Sequence, residues 1–131
     1  MTLSGAKVLV TGGAGFIGSH IVDDLVESGA DVTIFDNFST GNTENIQLSA
    51  SRVNVVEGDI TDASAISDAS VGVDFISHHA AQLEIFRSSE DPVQDLEVNT
   101  IGTLNVLEAA LRNGVGKVVS ASSACIYGQT D

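Results

Sequence analysis

An α/β fold, with a doubly wound parallel sheet of about five strands, is predicted by three features of this sequence. Lys7 to Ser19 reads Lys-Val-Leu-Val-Thr-Gly-Gly-Ala-Gly-Phe-Ile-Gly-Ser, a β-branched run that halts in glycines and resumes as an amphipathic segment. Further short apolar runs recur along the chain, separated by stretches of helical period. An acidic residue, Asp36, closes the second run, and in such a sheet that strand tip lies beside the glycine turn.

Gly12, Gly15 and Gly18 stand three apart. The first can take positive φ, the second lets a phosphate approach the backbone, and the third seats the helix against the strand. The unpaired N–H groups of the first helical turn, around Phe16 and Ile17, then face an anion. A glycine triplet alone would be a weak signal, because a tightly packed turn needs the same residues. Here strand, helix and a later acid all stand where a dinucleotide fold requires them.

Composition sets the bounds. The 131 residues make one domain, 1–131, large enough for a sizeable core. Five basic residues (Lys7, Arg52, Arg87, Arg112, Lys117) against eighteen acidic ones give a net charge of −13, which argues against nucleic acid or an anionic membrane as partner. Lysine depletion fits a protein kept soluble at high salt as well as it fits an ordinary acidic cytosolic one. The one cysteine, Cys125, excludes an internal disulfide and reads as a small apolar residue. With no basic-then-apolar leader and no apolar run of membrane-spanning length, the expectation is a soluble, cytoplasmic protein.

In order along the chain, Gly15 to Ser28 carries Phe16, Ile17, Ile21, Val22, Leu25 and Val26 at helical spacing and ends at Gly29. Asp31 to Phe35 is the second strand. A carboxylate at Asp36 can accept from both hydroxyls of an adenosine ribose and would repel a 2′-phosphate, so the residue favours NAD over NADP; it can also cap the Asn37–Asn42 loop. A short helix is expected over Glu44–Ala50 and a third strand over Val53–Val56. Asp59 and Ile60 follow it as a candidate adenine pocket. Asp62 to Ala69 reads as a helix with Thr61 as N-cap, and Val71 to His78 as the fourth strand.

His78-His79-Ala80-Ala81-Gln82 stands at that strand's tip. Adjacent strand residues point to opposite faces and no further ligand stands at suitable spacing, so the histidine pair does not read as a metal site. The alanines leave room for a flat cofactor. Glu84 to Asp91 is a loop or broken helix. Pro92 opens the longest helix, running to about Asn113, with Val93, Leu96, Ile101, Leu104, Leu107 and Leu111 as its buried stripe. Asn99 interrupts that stripe; it either satisfies itself within the core or bridges strand ends on the nicotinamide side of a cofactor. Gly114 and Gly116 end the helix. Lys117 to Ser120 is the fifth strand, and Ser122 or Ser123 just beyond it could polarise a substrate oxygen or be turn serines.

Taken together, Thr11-Gly-Gly-Ala-Gly-Phe-Ile-Gly18, Asp36-Asn37, Gly58-Asp59-Ile60, His78 to Gln82, Asp91-Pro92, Asn99-x-x-Gly-Thr103 and Ser122-Ser123-Ala124-x-x-Tyr127-Gly128 resemble the extended short-chain dehydrogenase/reductases, and within them the NAD-dependent nucleotide-sugar epimerases of the UDP-glucose 4-epimerase kind. The resemblance covers nearly the whole chain and its motifs come in family order. It implies a Rossmann-like domain holding NAD. Phe16 and Ile17, with Gly12, Gly15 and Gly18, would bind the pyrophosphate. Asp36, Asn37, Phe38, Ser39, Thr40 and Gly41 would surround the ribose, and Asp59 and Ile60 would frame adenine. His79, Ala80, Ala81, Gln82 and Asn99 would line the path to nicotinamide. Ser123 falls where the family keeps a catalytic Ser or Thr on the sugar hydroxyl. The family's reaction is reversible hydride transfer at the sugar C4, with the keto-sugar turning over in between. Related dehydratases carry an acidic pair after that hydroxyl; Ala124 and Cys125 stand there instead, which favours epimerisation.

One departure matters. The family's Tyr-x-x-x-Lys base is missing: Tyr127 is followed three and four residues later by Thr130 and Asp131. The expectation is therefore a sheet truncated after its fifth strand, without the C-terminal substrate domain, taking a nucleotide-sugar only when completed by the missing part. A stand-alone NAD-binding module or sensor is the alternative. The long helix resembles one of the family's dimer pair, so a homo-oligomer is expected.

Overall fold

The computed structural model describes residues 3–128, apart from the side chains of Ala124 and Cys125. The reading of Cys125 as apolar filler, and Thr130 and Asp131, therefore lie outside the described residues. Five parallel strands, β1 (Lys7–Thr11), β2 (Asp31–Asp36), β3 (Val53–Glu57), β4 (Phe75–His78) and β5 (Lys117–Ser120), form one sheet in the order β3-β2-β1-β4-β5. The order reverses between β1 and β4, and that reversal opens a crevice outside the carboxyl ends of the strands. This is the Rossmann-like sheet the sequence predicts.

β1 is central. Val8, Leu9, Val10 and Thr11 are all buried, because both faces of a parallel sheet are covered. On one face Val8, Val10, Val32 and Ile34 pack with Val22 and Val26 of α1 (Phe16–Glu27). On the other, Leu9, Phe35 and Ile76 meet Ile66 of α2 (Ala63–Ala69) and Val106, Ala109 and Ala110 of α5 (Thr103–Asn113).

Several elements differ from expectation. In place of a helix over Glu44–Ala50 there is a 3-10 turn, Thr43–Ile46, capped by the Asn42 side chain. The N-cap of α2 is Asp62, not Thr61: the Asp62 carboxylate accepts from the Ser64 and Ala65 N–H groups, while Thr61 turns back to Asp59. β4 begins only at Phe75, since Gly72 turns with φ 71° and Val71 is left exposed. Ile85–Glu90, ambiguous in sequence, is a helix, α3.

The largest difference is in the segment from Pro92. It is α4 (Pro92–Leu96), then a π-helical stretch, Glu97–Gly102, then α5, ending at Gly114 in the left-handed region with φ 69°. Its expected buried stripe faces outward: Val93, Leu96, Ile101, Leu104, Leu107 and Leu111 are between 43% and 77% exposed. The buried side is made of Gly102, Val106, Ala109 and Ala110. Small residues let the helix lie close to the sheet; a Cβ on Gly102 would sit 2.6 Å from Ile60 Cδ1. Size misleads here: the bulky residues of this helix are not the ones its own core takes.

Candidate functional site

The strand tips enclose a cleft of about 740 Å³. One wall is the β1–α1 turn. Gly12 takes φ 68°, and its missing Cβ would lie 2.6 Å from Ala80 N. A Cβ on Gly18 would stand 2.1 Å from Gly12 O, so no side chain can separate helix from turn. Gly15 is different: its backbone is extended (φ −75°, ψ 173°), and among the described residues only Gly12 O, at 3.2 Å, is near its would-be Cβ. No side chain among the described residues caps α1. Its first N–H groups are left for solvent or an anion. Phe16 and Ile17 line the cleft and are 78% and 61% exposed.

Asp36 ends β2 inside the cleft, only 7% exposed. Its Oδ2 accepts from Ala14 N–H and its Oδ1 from Phe38 N–H, both at 2.9 Å. Each oxygen keeps a lone pair for a further donor. Phe38 pays for that bond with a left-handed backbone (φ 55°) and packs its ring onto the core. Phe38 and Gly41 therefore do not line the cleft, although sequence groups them with their neighbours; Gly41 instead lies against the Asp36 carboxylate. Asn37, Ser39 and Thr40 do line it.

Asp59 is tied to the same rim. Its Oδ2 accepts from Asn37 Nδ2 at 2.7 Å and its Oδ1 from Thr61 N–H and Oγ1–H at 2.9 and 2.7 Å. Partial burial pulls this carboxyl upward, but the hydrogen bonds from Thr61 and Asn37 outweigh it and hold the group below the usual carboxylate range. Ile60 is buried beside it, and Asn105 Nδ2 of α5 pins the loop through Ile60 O at 2.9 Å.

The β4 tip is a polar relay. Thr103 Oγ1 donates to Asn99 O at 2.8 Å, so it accepts from His78 Nε2–H at 3.1 Å; His78 Nδ1, then bare, accepts from Thr11 Oγ1–H at 2.6 Å. This assigns a neutral Nε2–H imidazole. Burial, with a smaller push from His79, lowers its proton affinity. A group whose folded pKa lies below its unfolded value binds fewer protons when folded, so its stabilisation is complete above about pH 6.5 and is lost as pH falls below it. Wild-type protein is expected to lose up to about 1.4 kcal/mol per pH unit through His78 in that range. His78→Gln, which can still accept from Thr11 and donate to Thr103, should flatten that slope. Denaturant midpoints of both proteins at pH 7.5 and 5.5 check it; parallel slopes would contradict the assignment.

The His79 ring turns away to Ser77 Oγ (2.8 Å), so the two imidazoles bond to different side chains. Among the described residues no group of three or more His, Cys, Asp or Glu is placed to hold a metal ion. Asn99 clamps Gln82: its Oδ1 accepts from Gln82 N–H at 2.8 Å and its Nδ2 donates to Gln82 O at 3.1 Å. Two buried polar atoms beside this clamp, His79 Nδ1 and Gln82 Nε2, have no partner within the described residues. Buried polar atoms are rarely left so. Both residues line the cleft, and a polar ligand there would satisfy them.

Ala80, Ala81, Ser122 and Ser123 complete the wall at β4 and β5. Sequence reasoning missed Leu83, Arg87, Gln94 and Val98, which line the cleft from α3, α4 and their flanks. Arg87 had a usable signal: it is one of only five basic residues. No helix among the described residues is long and apolar enough to cross a membrane.

Residues 8–131 match the model of the NAD dependent epimerase/dehydratase family. A putative UDP-glucose 4-epimerase from Methanocaldococcus jannaschii is 44% identical over 125 residues, which are 93% of this chain and 40% of that protein. A UDP-N-acetyl-alpha-D-glucosaminuronate decarboxylase from Bacillus cytotoxicus is 37% identical, over 94% of this chain and 38% of its own length. The UDP-glucose 4-epimerase of Thermus thermophilus, solved in complex with NAD, superposes with a TM-score of 0.81 at 45% identity, covering 89% of this chain and 37% of that one. The chain thus spans about two fifths of the length of the relatives it matches.

Proposed function

The chain belongs to the NAD-dependent epimerase/dehydratase family, and from that premise we propose that residues 1–131 are the NAD-binding portion of a nucleotide-sugar epimerase of the UDP-glucose 4-epimerase kind. The observation that carries the reading is the Asp36 carboxylate, buried against the glycine turn inside the strand-tip cleft with a lone pair free on each oxygen. Asn37, Ser39 and Thr40 extend the ribose site, and Asp59 and Ile60 take adenine. Gly12, Gly15, Phe16, Ile17 and Gly18 hold the diphosphate. His79, Ala80, Ala81, Gln82 and Asn99 hold the nicotinamide side, where Gln82 Nε2 gains an acceptor.

Bound NAD supplies reversible oxidation of the sugar C4 carbon. Ser123, beyond β5 on the same cleft, is the catalytic residue proposed to hydrogen-bond the sugar hydroxyl. The sequence holds a single tyrosine, Tyr127, with no lysine four residues on. By themselves these residues are therefore expected to bind NAD without interconverting UDP-glucose and UDP-galactose. A second reading, a non-catalytic NAD-binding module, predicts the same of this polypeptide and differs only in having no sugar partner. Calorimetric titration with NAD followed by an interconversion assay tests both. Absence of heat removes the cofactor reading, and turnover by this chain alone overturns the view that its base is missing. The acidic composition and single cysteine fit a cytoplasmic protein.

The outward stripe on α4 and α5 supports a homo-oligomer. Ile85 and Phe86 of the adjoining α3 are exposed as well, and at about 25 cal/mol per Å² a few hundred Å² of such surface is worth several kcal/mol. We expect a dimer through this face in sedimentation at micromolar concentration, and Leu107→Glu to give monomer with little loss of stability. A wild-type monomer would refute the assignment.

A further inference from the structure

We propose that Asp95 is a positioning residue for the cleft: its carboxylate fixes the Asn99 side-chain amide in the one orientation that clamps the backbone of Gln82. The inference rests on the dinucleotide reading of the cleft and adds to it a residue that does not itself line the cavity.

A side-chain amide has two ends of nearly equal shape and opposite chemistry. With Asn99 as placed, Oδ1 meets Gln82 N–H and Nδ2 meets Gln82 O, and both contacts are hydrogen bonds. Turned by half a rotation, oxygen would face oxygen and N–H would face N–H, and both would be lost. The second Nδ2 hydrogen adds a third bond that holds the amide in this setting. It is donated to Asp95 Oδ1 at 3.0 Å, four residues back along the helix. An ionised carboxylate can only accept, so the nitrogen end of Asn99 must face it. The same oxygen accepts from Ser88 Oγ–H at 2.6 Å, which ties α3 to this carboxylate. Arg87, the cleft's cationic side chain among the described residues, is carried on that helix.

The consequence falls on Gln82. Its side-chain Nε2 is buried in the cleft wall without a partner among the described residues, and its reach toward a ligand depends on where the backbone is held. Asp95 thereby acts on the site through Asn99 and not by touching it. The π-helical stretch that carries Asn99 fits this role, since such widened turns recur at functional positions.

The test measures NAD affinity by calorimetry and hydrogen exchange at the Gln82 amide. It uses the wild type, Asp95→Leu, Asn99→Ala and the double variant. Asp95→Leu is expected to weaken NAD binding about tenfold and to speed exchange at Gln82. In the Asn99→Ala background the same change should add nothing to either reading. Unchanged affinity and exchange in Asp95→Leu would overturn the proposal, as would an equal loss in the Asn99→Ala background. If the wild type takes up no NAD, the dinucleotide reading fails, and Gln82 exchange alone still decides the clamp. If Asp95→Leu does not fold, Asp95→Ala, which removes the acceptor without adding bulk, is expected to speed Gln82 exchange, and unchanged exchange there would equally overturn it.

Discussion

Gly18→Ala is expected to cost at least about 3 kcal/mol of stability and to abolish NAD binding. The added methyl would lie 2.1 Å from Gly12 O and 2.9 Å from both Gly12 C and Gly13 Cα, all backbone atoms of a turn already held at φ 68°. Backbone cannot yield as a long side chain does, so α1 would lift off β1 and take the amide cradle with it. Gly15→Ala is the informative partner. Among the described residues only Gly12 O, at 3.2 Å, crowds its methyl, and its backbone conformation suits any residue. Its stability should change by less than about 1 kcal/mol, yet NAD should bind at least about tenfold more weakly, because the methyl occupies the path of the diphosphate. Thermal melts and titrations of the two variants separate folding from binding. Full affinity in Gly15→Ala would place the diphosphate elsewhere.

Asp36→Asn should remove about 2 kcal/mol of stability and weaken NAD at least about tenfold, while narrowing the preference over NADP. The carboxylate takes one backbone N–H on each oxygen, from Ala14 and from Phe38. An amide can satisfy one of them, and its NH₂ group must oppose the other. The Phe38 bond matters most, since a left-handed phenylalanine backbone needs that compensation. With its charge gone, the site no longer repels a 2′-phosphate. Parallel NAD and NADP titrations give the ratio, and an unaltered ratio would mean that Asp36 serves the loop alone.

The glycine turn was legible because conformational freedom at Gly12 and close approach at Gly18 are demands only glycine meets. Asp36 was legible because a strand's end is predictable and its neighbours in a doubly wound sheet follow from topology. The inward turn of Phe38 was not, since a positive φ on phenylalanine goes against its preference and is set by the bond to Asp36. Thr61 and Asp62 are adjacent and both cap helices well; the choice fell to Asp62 because Asp59 claims the Thr61 hydroxyl. The helix face was misread for a reason of size. Gly102, Val106, Ala109 and Ala110 pack inward where the sheet leaves little room, and the leucines beside them carry the stronger hydrophobic signal. Arg87 was missed because its helix is short and nothing local marks it as facing the cleft.

The widened turn at Glu97–Gly102 also resets the angular phase of the segment from Pro92. A regular helix would hold Asn99 in one fixed register with Val106 and Ala109. The i→i+5 winding rotates that register, and Asn99 meets Gln82 while Val106 and Ala109 meet the sheet.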